Sequence, residues 1–128
     1  PSSGVPLIIA GPGILGGVVS DALVALHDVA ATLLDYAGAA PLPDSDARSL
    51  RAVLDGSRQQ HRSHLCCGLK DWDMICDARY VHVRRRAAEP LLFDHLEDPN
   101  ELRNAAADNA ARVRELDQLL SAHLSHAS

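Results

Sequence analysis

Apolar residues fall in two patterns along the chain, and each dominates a different half. Gly4 to Gly13 reads G-V-P-L-I-I-A-G-P-G. Extended, Val5, Leu7 and Ile9 point one way and Ile8 and Ala10 the other. Both faces are then apolar, the pattern of a strand buried on both sides of a parallel sheet. The chain offers few other strands of this kind, so Val5–Ala10 predicts absent neighbours and an edge open to pairing. Gly11, Pro12, Gly13, Gly16 and Gly17 make a loop. A helix is expected from a cap at Ser20 or Asp21 to about Tyr36, closed by Gly38. Its apolar stripe is Ala22, Leu26, Val29, Leu33 and Ala37, widened by Leu23, Ala30 and Leu34. Asp21, Asp28, Thr32 and Asp35 line the opposite side. After a Pro- and Asp-containing connection, Arg48–Asp55 makes a short amphipathic helix through Leu50, Val53 and Leu54, closed by Gly56.

From Ser63 the pattern becomes that of a β-meander. Strands are expected at Ser63–Cys67 and at Trp72–Cys76, the latter with Trp72, Met74 and Cys76 on one face and Ile75 on the other. Asp77-Ala78-Arg79 is a turn. A third strand runs Tyr80–Arg84, with Val81 and Val83 inward, and Leu91–Phe93 supplies a fourth. Asp98, Pro99 and Glu101 sit at N-cap, first and third positions of a helix start, with a reciprocal capping box. A final helix, capped by Asp108, runs from about Asn109 to His123. Val113, Leu116, Leu120 and Leu124 form its seam against the sheet.

This pattern gives an α/β fragment. One apolar strand and helices (residues 1–60) precede a small four-stranded antiparallel sheet covered by a C-terminal helix (residues 61–128). At 128 residues the chain can bury a core, and 47% hydrophobic against 23% charged residues is a globular balance. Net charge is −5, which repels nucleic acid and anionic membranes, so no nucleic-acid partner is expected. Arg84-Arg85-Arg86 is the candidate basic patch, read as a solvated hairpin tip because aromatics are only 3% of the chain. No apolar run reaches the ~18 residues of a membrane span. The chain opens on Pro1-Ser2-Ser3, with neither an initiator Met nor a leader pattern, and is expected to be a piece of a larger protein. Three cysteines imply no disulfide framework, which favours a cytoplasmic compartment.

The metal-like cluster is His61-x-x-His64-x-Cys66-Cys67. On a strand His64 and Cys66 share one face while His61 and Cys67 share the other, so four ligands cannot converge on zinc. Small buried thiols are the expected state. A Cys66–Cys76 cross-strand bond is the oxidised alternative. His27 reads as an edge residue of a packed helix, with no second His or Cys one turn away. Trp72 is read as packed under the final helix, with a ligand-lining role as the alternative.

V-P-L-I-I-A-G-P-G, then V-S-D-A-L-V-A-L-H-D-V-A-A-T-L-L-D-Y-A-G, then D-A-R-S-L-R-A-V-L-D-G resemble the C-terminal part of sulfatases, members of the alkaline-phosphatase superfamily. Asp28, Thr32, Leu33, Leu34, Asp35, Gly38, Ser49, Leu50, Leu54 and Gly56 stand at the matching places; Ala31 replaces the usual Pro. M-I-C-D-A-R-Y and L-F-D-H-L-E-D-P-N-E-L-R-N-A-A extend the resemblance, through Asp94, Asp98, Pro99, Glu101 and Asn104. Val81 stands where a Lys is common and Ala105 where a Leu is.

The resemblance implies a parent that uses formylglycine, formed from a Cys or Ser in C-x-P-x-R or S-x-P-x-R, and a divalent cation, usually calcium. None of Cys66, Cys67 and Cys76 begins such a motif, and Asp94-His95 is followed by Leu96 instead of Gly. Sulfate-ester hydrolysis needs a nucleophile and a stabilising cation. The expectation is therefore no catalytic residue, metal ligand or cofactor in this chain. His64, Trp72 and His82 are the residues expected to face a substrate entrance. The expected role is structural, with self-association or the absent N-terminal catalytic portion as partner. The alternatives are a stand-alone interaction module of the same fold and the C-terminal part of a phosphodiesterase or phosphonate monoester hydrolase.

Overall fold

The computed structural model describes residues 4–126, which divide into two compact units, Gly4–Ser63 and a second from His64 onward. In the first, helix α1 spans Asp28–Tyr36 and helix α2 spans Arg51–Leu54. The second holds strands β1 (Leu65–Leu69), β2 (Trp72–Cys76), β3 (Tyr80–Arg85) and β4 (Leu91–Asp94), then helix α3 (Ala110–His126).

Val5–Ala10 forms no strand in this chain. Its backbone is irregular, and Val5, Leu7 and Ile8 are 64%, 40% and 92% exposed. A strand apolar on both faces gains its stability from neighbours on each side, and the described residues bring none to it. Helix α1 is also shorter than the periodicity predicts. Residues 21–27 are instead held locally: Leu23 forms an antiparallel bridge with Arg62, and the Ala25 N–H donates to the Asp28 carboxylate at 2.9 Å. The C-terminal end is as expected. Gly38 takes φ +65°, and the Ala39 N–H returns to the Leu34 carbonyl.

Helix α1 packs the reverse of its amphipathic pattern. Asp28 and Thr32, on the polar side, are the buried residues, while Leu26 and Leu33 of the apolar stripe are 73% and 66% exposed. The polar side is buried because it serves as a hydrogen-bonding spine for residues 48–51. Thr32 Oγ1 accepts from the Leu50 N–H at 2.9 Å and donates to the Asp28 carbonyl at 2.6 Å. Ser49 Oγ donates to Asp35 at 2.5 Å, and Arg51 Nη1 donates to the same carboxylate at 3.1 Å. Leu50, only 3% exposed, is drawn in with them.

The sheet has strand order β1-β2-β3-β4, all antiparallel. Cys66 opposes Ile75, which opposes His82, which opposes Leu92, so these four share one face. Helix α3 covers that face. Ile75, Leu92, Leu116 and Leu120 are fully buried together, flanked by Cys66, Tyr80, Val113 and Leu124. Trp72, Met74, Cys76, Val81 and Val83 lie on the reverse face. Val81 is buried, but away from the helix, and Trp72 is not under it. The Cys66–Cys76 bond is excluded by the same register, since the two point to opposite faces; all three cysteines are free.

No helix begins at Asp98. Glu101 has φ +55°, a left-handed conformation that a helical first turn cannot contain. Its carboxylate meets His95 Nε2 at 2.6 Å, and Asp98 accepts from the Arg103 N–H at 2.8 Å. The segment instead covers the outer edge of β4. Asn104 Oδ1 accepts from the Leu92 N–H at 3.0 Å, and the Ala105 N–H donates to the Leu92 carbonyl at 2.8 Å. Among the described residues no helix is long and apolar enough to cross a membrane.

Candidate functional site

Two polar nodes are buried, one in each unit, and both are structural in their geometry. The first centres on Asp28, whose side chain is fully buried. Oδ1 accepts from the Arg48 N–H at 2.8 Å and from Arg62 Nη2 at 2.5 Å. Oδ2 accepts from the Ala25 N–H at 2.9 Å, Arg62 Nε at 3.0 Å and His61 Nε2 at 3.1 Å. Burial alone would raise the carboxyl's pKa. The Arg62 fork and the two amides outweigh it and hold Asp28 well below the ordinary carboxylate range. Arg62 is raised in return, its pairing with Asp28 exceeding its own desolvation.

The second node is His82, also fully buried, under α3. Its Nδ1 lies 3.0 Å from the Leu91 carbonyl and its Nε2 3.1 Å from Asp117 Oδ1. Arg84 reaches across the same interface to Asp73 at 3.2 Å and to Ser121 Oγ at 3.0 Å. Both ring nitrogens of His82 are engaged inside the unit, so it offers no group to a substrate.

The three residues expected at a substrate entrance are therefore not brought together. His64 is half-buried just ahead of β1, Trp72 is half-buried on the reverse face of the sheet, and His82 sits inside the helix-covered face. His61, of the metal-like cluster, is committed to Asp28. Sequence reasoning missed the role of Asp28 because its helical position places it on the polar side. The signal that marks it is the series Asp28, Thr32, Asp35, in step with the family pattern.

Neither node fits a divalent cation. Both Asp28 oxygens are taken by donors, with the Arg62 guanidinium occupying the position a metal would need. Among the described residues no cluster of His, Cys, Asp and Glu could hold a metal. The cysteines do not fit a nucleophile either. Burial, with a smaller contribution from Cys76 and Cys67, pushes the Cys66 thiol up to about 11; burial raises Cys67 and Cys76 as well. Reactivity follows the thiolate fraction. Alkylation of Cys66 at pH 8 is therefore expected to be on the order of a hundredfold slower than that of a free cysteine. Site-resolved iodoacetamide labelling by mass spectrometry measures this, with the exposed Cys67 modified first.

The fold, a four-stranded antiparallel sheet crossed by a C-terminal helix and preceded by short helices, is that of hydrolases with alkaline-phosphatase-like architecture. The chain superposes on the phosphonate monoester hydrolase SpPMH from Silicibacter pomeroyi with a TM-score of 0.77 and 26% identity, over 93% of this chain and 28% of that one. A structure described as a 2-O GAG sulfatase shares the fold, with a TM-score of 0.74 and 23% identity over 92% of this chain and 29% of that one. In sequence the chain is 30% identical to arylsulfatase K of Xenopus laevis over 136 residues, 93% of this chain and 25% of that protein. No protein-family model matches. The chain matches the C-terminal part of sulfatases, and it spans about a quarter of the length of the curated relatives it matches.

Proposed function

We propose that this chain is the structural C-terminal part of a sulfuric ester hydrolase, completing the fold of a catalytic portion that carries the nucleophile and the cation. The observation that supports this most directly is the reversed packing of α1. A helix that buries Asp28 and Thr32 and exposes Leu33, with Leu26 exposed just ahead of it, has spent its polar side internally and left apolar side chains for another surface. Val5, Leu7 and Ile8 are further exposed apolar side chains of the same unit. The family's formylglycine and divalent cation belong, in this reading, to the catalytic portion.

The isolated 128-residue chain is expected to show no turnover of an aryl sulfate. Joined to an upstream portion carrying C-x-P-x-R or S-x-P-x-R, it is expected to support hydrolysis. Turnover by the isolated chain, or equal activity of the upstream portion without it, would refute the reading. The phosphonate monoester hydrolase likeness supports a second reading, a parent acting on phosphonate esters; comparing aryl sulfate with an aryl phosphonate in the joined protein separates the two.

By itself the chain is expected to self-associate through its exposed apolar segments, with strand pairing at Val5–Ala10 as the route. Light scattering at rising concentration reads this, and Ile8→Lys, at a 92% exposed position, is expected to lower the associated fraction without loss of stability.

A further inference from the structure

The two turns at one end of the sheet, between β1 and β2 and after β3, are joined by a hydrogen bond from the Arg86 N–H to the Asp71 carbonyl at 3.2 Å. Lys70, Arg85 and Arg86 are all exposed there. Arg84 is not part of this group, because it is committed to Asp73 and Ser121 on the helix-covered face. On the reverse face Leu69, Trp72 and Arg85 stand directly opposite one another across three strands. Arg85 donates from Nε and Nη2 to the Glu89 carbonyl, at 3.0 and 2.5 Å, which fixes the guanidinium and leaves Nη1 unengaged by those bonds. The carboxylates at this end are Asp71 and Glu89, with Asp73 paired to Arg84. In a chain of net charge −5 this is a place where cations outnumber free carboxylates.

We propose that Trp72, with Arg85, Arg86 and Lys70, forms a binding platform for a sulfated sugar of the substrate. An indole face accepts the apolar face of a pyranose ring. The facing Arg85, whose Nε and Nη2 serve the Glu89 carbonyl, keeps Nη1 for a sulfate, a charge-assisted hydrogen bond from a side chain that is already held in place. Three cations spread over two turns suit a ligand with several anionic groups, hence an oligosaccharide bearing more than one sulfate. A nucleic acid fits less well, because a single aromatic side chain provides no succession of stacking surfaces. The proposal rests on the sulfatase reading for its substrate class.

Trp72 is the only tryptophan in the chain, so its emission reports on this platform alone. Titration of the chain with a heparin-derived sulfated hexasaccharide is expected to give a saturable change in tryptophan fluorescence, weakened as salt is raised. The desulfated hexasaccharide is expected to give none. The Arg85→Gln/Arg86→Gln variant, at exposed positions at the end of β3 and just after it, is expected to keep the native circular dichroism spectrum and lose at least tenfold in affinity. Lys70→Gln is expected to lose less. No fluorescence change at millimolar ligand, full affinity in the double variant, or equal affinity for a thymidine dodecamer overturns the platform. The sulfatase reading is judged separately, by hydrolysis in the joined protein. Hydrolysis without hexasaccharide binding removes the platform only, and binding without hydrolysis of any sulfate ester removes the parent reading.

Discussion

Replacing Asp28 by alanine is expected to unfold the unit Gly4–Ser63. The substitution removes the carboxylate on which the Ala25 and Arg48 amides, His61 and the Arg62 fork converge, and it strips its directly paired carboxylate from a guanidinium whose side chain is 7% exposed. Removing one partner of a buried pair costs ~3–5 kcal/mol. The whole stability of a small unit is only ~0.05–0.15 kcal/mol per residue, so most of it is lost. Chemical denaturation followed by proteolysis at residues 4–63 measures the effect. Asp28→Asn keeps the volume and part of the hydrogen bonding and is expected to fall between the two. A native-like midpoint for Asp28→Ala would show that the node is decorative.

The same carboxylate sets an acid limit. Its folded pKa lies below its unfolded value, so its contribution is fully present above the unfolded pKa of about 4 and is lost as pH falls through the folded value. Stability from this group is therefore expected to be flat from pH 5 to 8 and to decline in acid below about pH 4. Asp28→Asn should flatten that acid decline; an unchanged acid profile in the variant counts against the assignment.

The second large effect is expected at Leu120. With Leu116, Ile75 and Leu92 it forms the fully buried centre between α3 and the sheet. Leu120→Ala removes contacts that no neighbour replaces, at a cost of ~2–5 kcal/mol. In a unit of this size each kcal/mol lowers the melting temperature by about 4–8 °C. A fall of at least ~10 °C in the thermal transition is expected, with exposure of Ile75 and Leu92 and binding of a hydrophobic dye. Leu119, 40% exposed on the same helix, is the control, and Leu119→Ala is expected to change little.

Much of the second unit was legible from pattern alone. Trp72–Cys76 begins and ends where alternation and its flanking turn place it, β3 and β4 each extend one residue past expectation, and the seam Val113, Leu116, Leu120, Leu124 is the one that packs. Local rules suffice there because antiparallel neighbours follow one another in the chain and a helix seam repeats at a fixed spacing. The face that the helix chose was not legible. Ile75 and Val81 are both apolar, and alternation separates the two faces without saying which one α3 covers. Nor was the absence of the helix at Asp98, since the capping residues are instead drawn away to His95 and Arg103.

Little of the candidate site is legible in the sequence: His64, Trp72 and His82 stand out by residue type alone, which carries no information about convergence. The structure distributes them among a strand approach, an open face and a closed one.

Local pattern alone yields β2, β3, β4 and the turns between them, and the family pattern running through Asp28, Thr32 and Asp35, because periodicity and turn chemistry act over a few residues; of the other two expected strands, Val5–Ala10 does not form and the one at Ser63–Cys67 is shifted to Leu65–Leu69. The burial of the polar side of α1 is a long-range outcome that no local pattern contains. That outcome depends on Arg62, 34 residues away, arriving with a fixed charge that a buried carboxylate must meet. A desolvated ion pair dictates its own geometry more strongly than an apolar stripe does, and an apolar stripe with no surface to cover stays exposed.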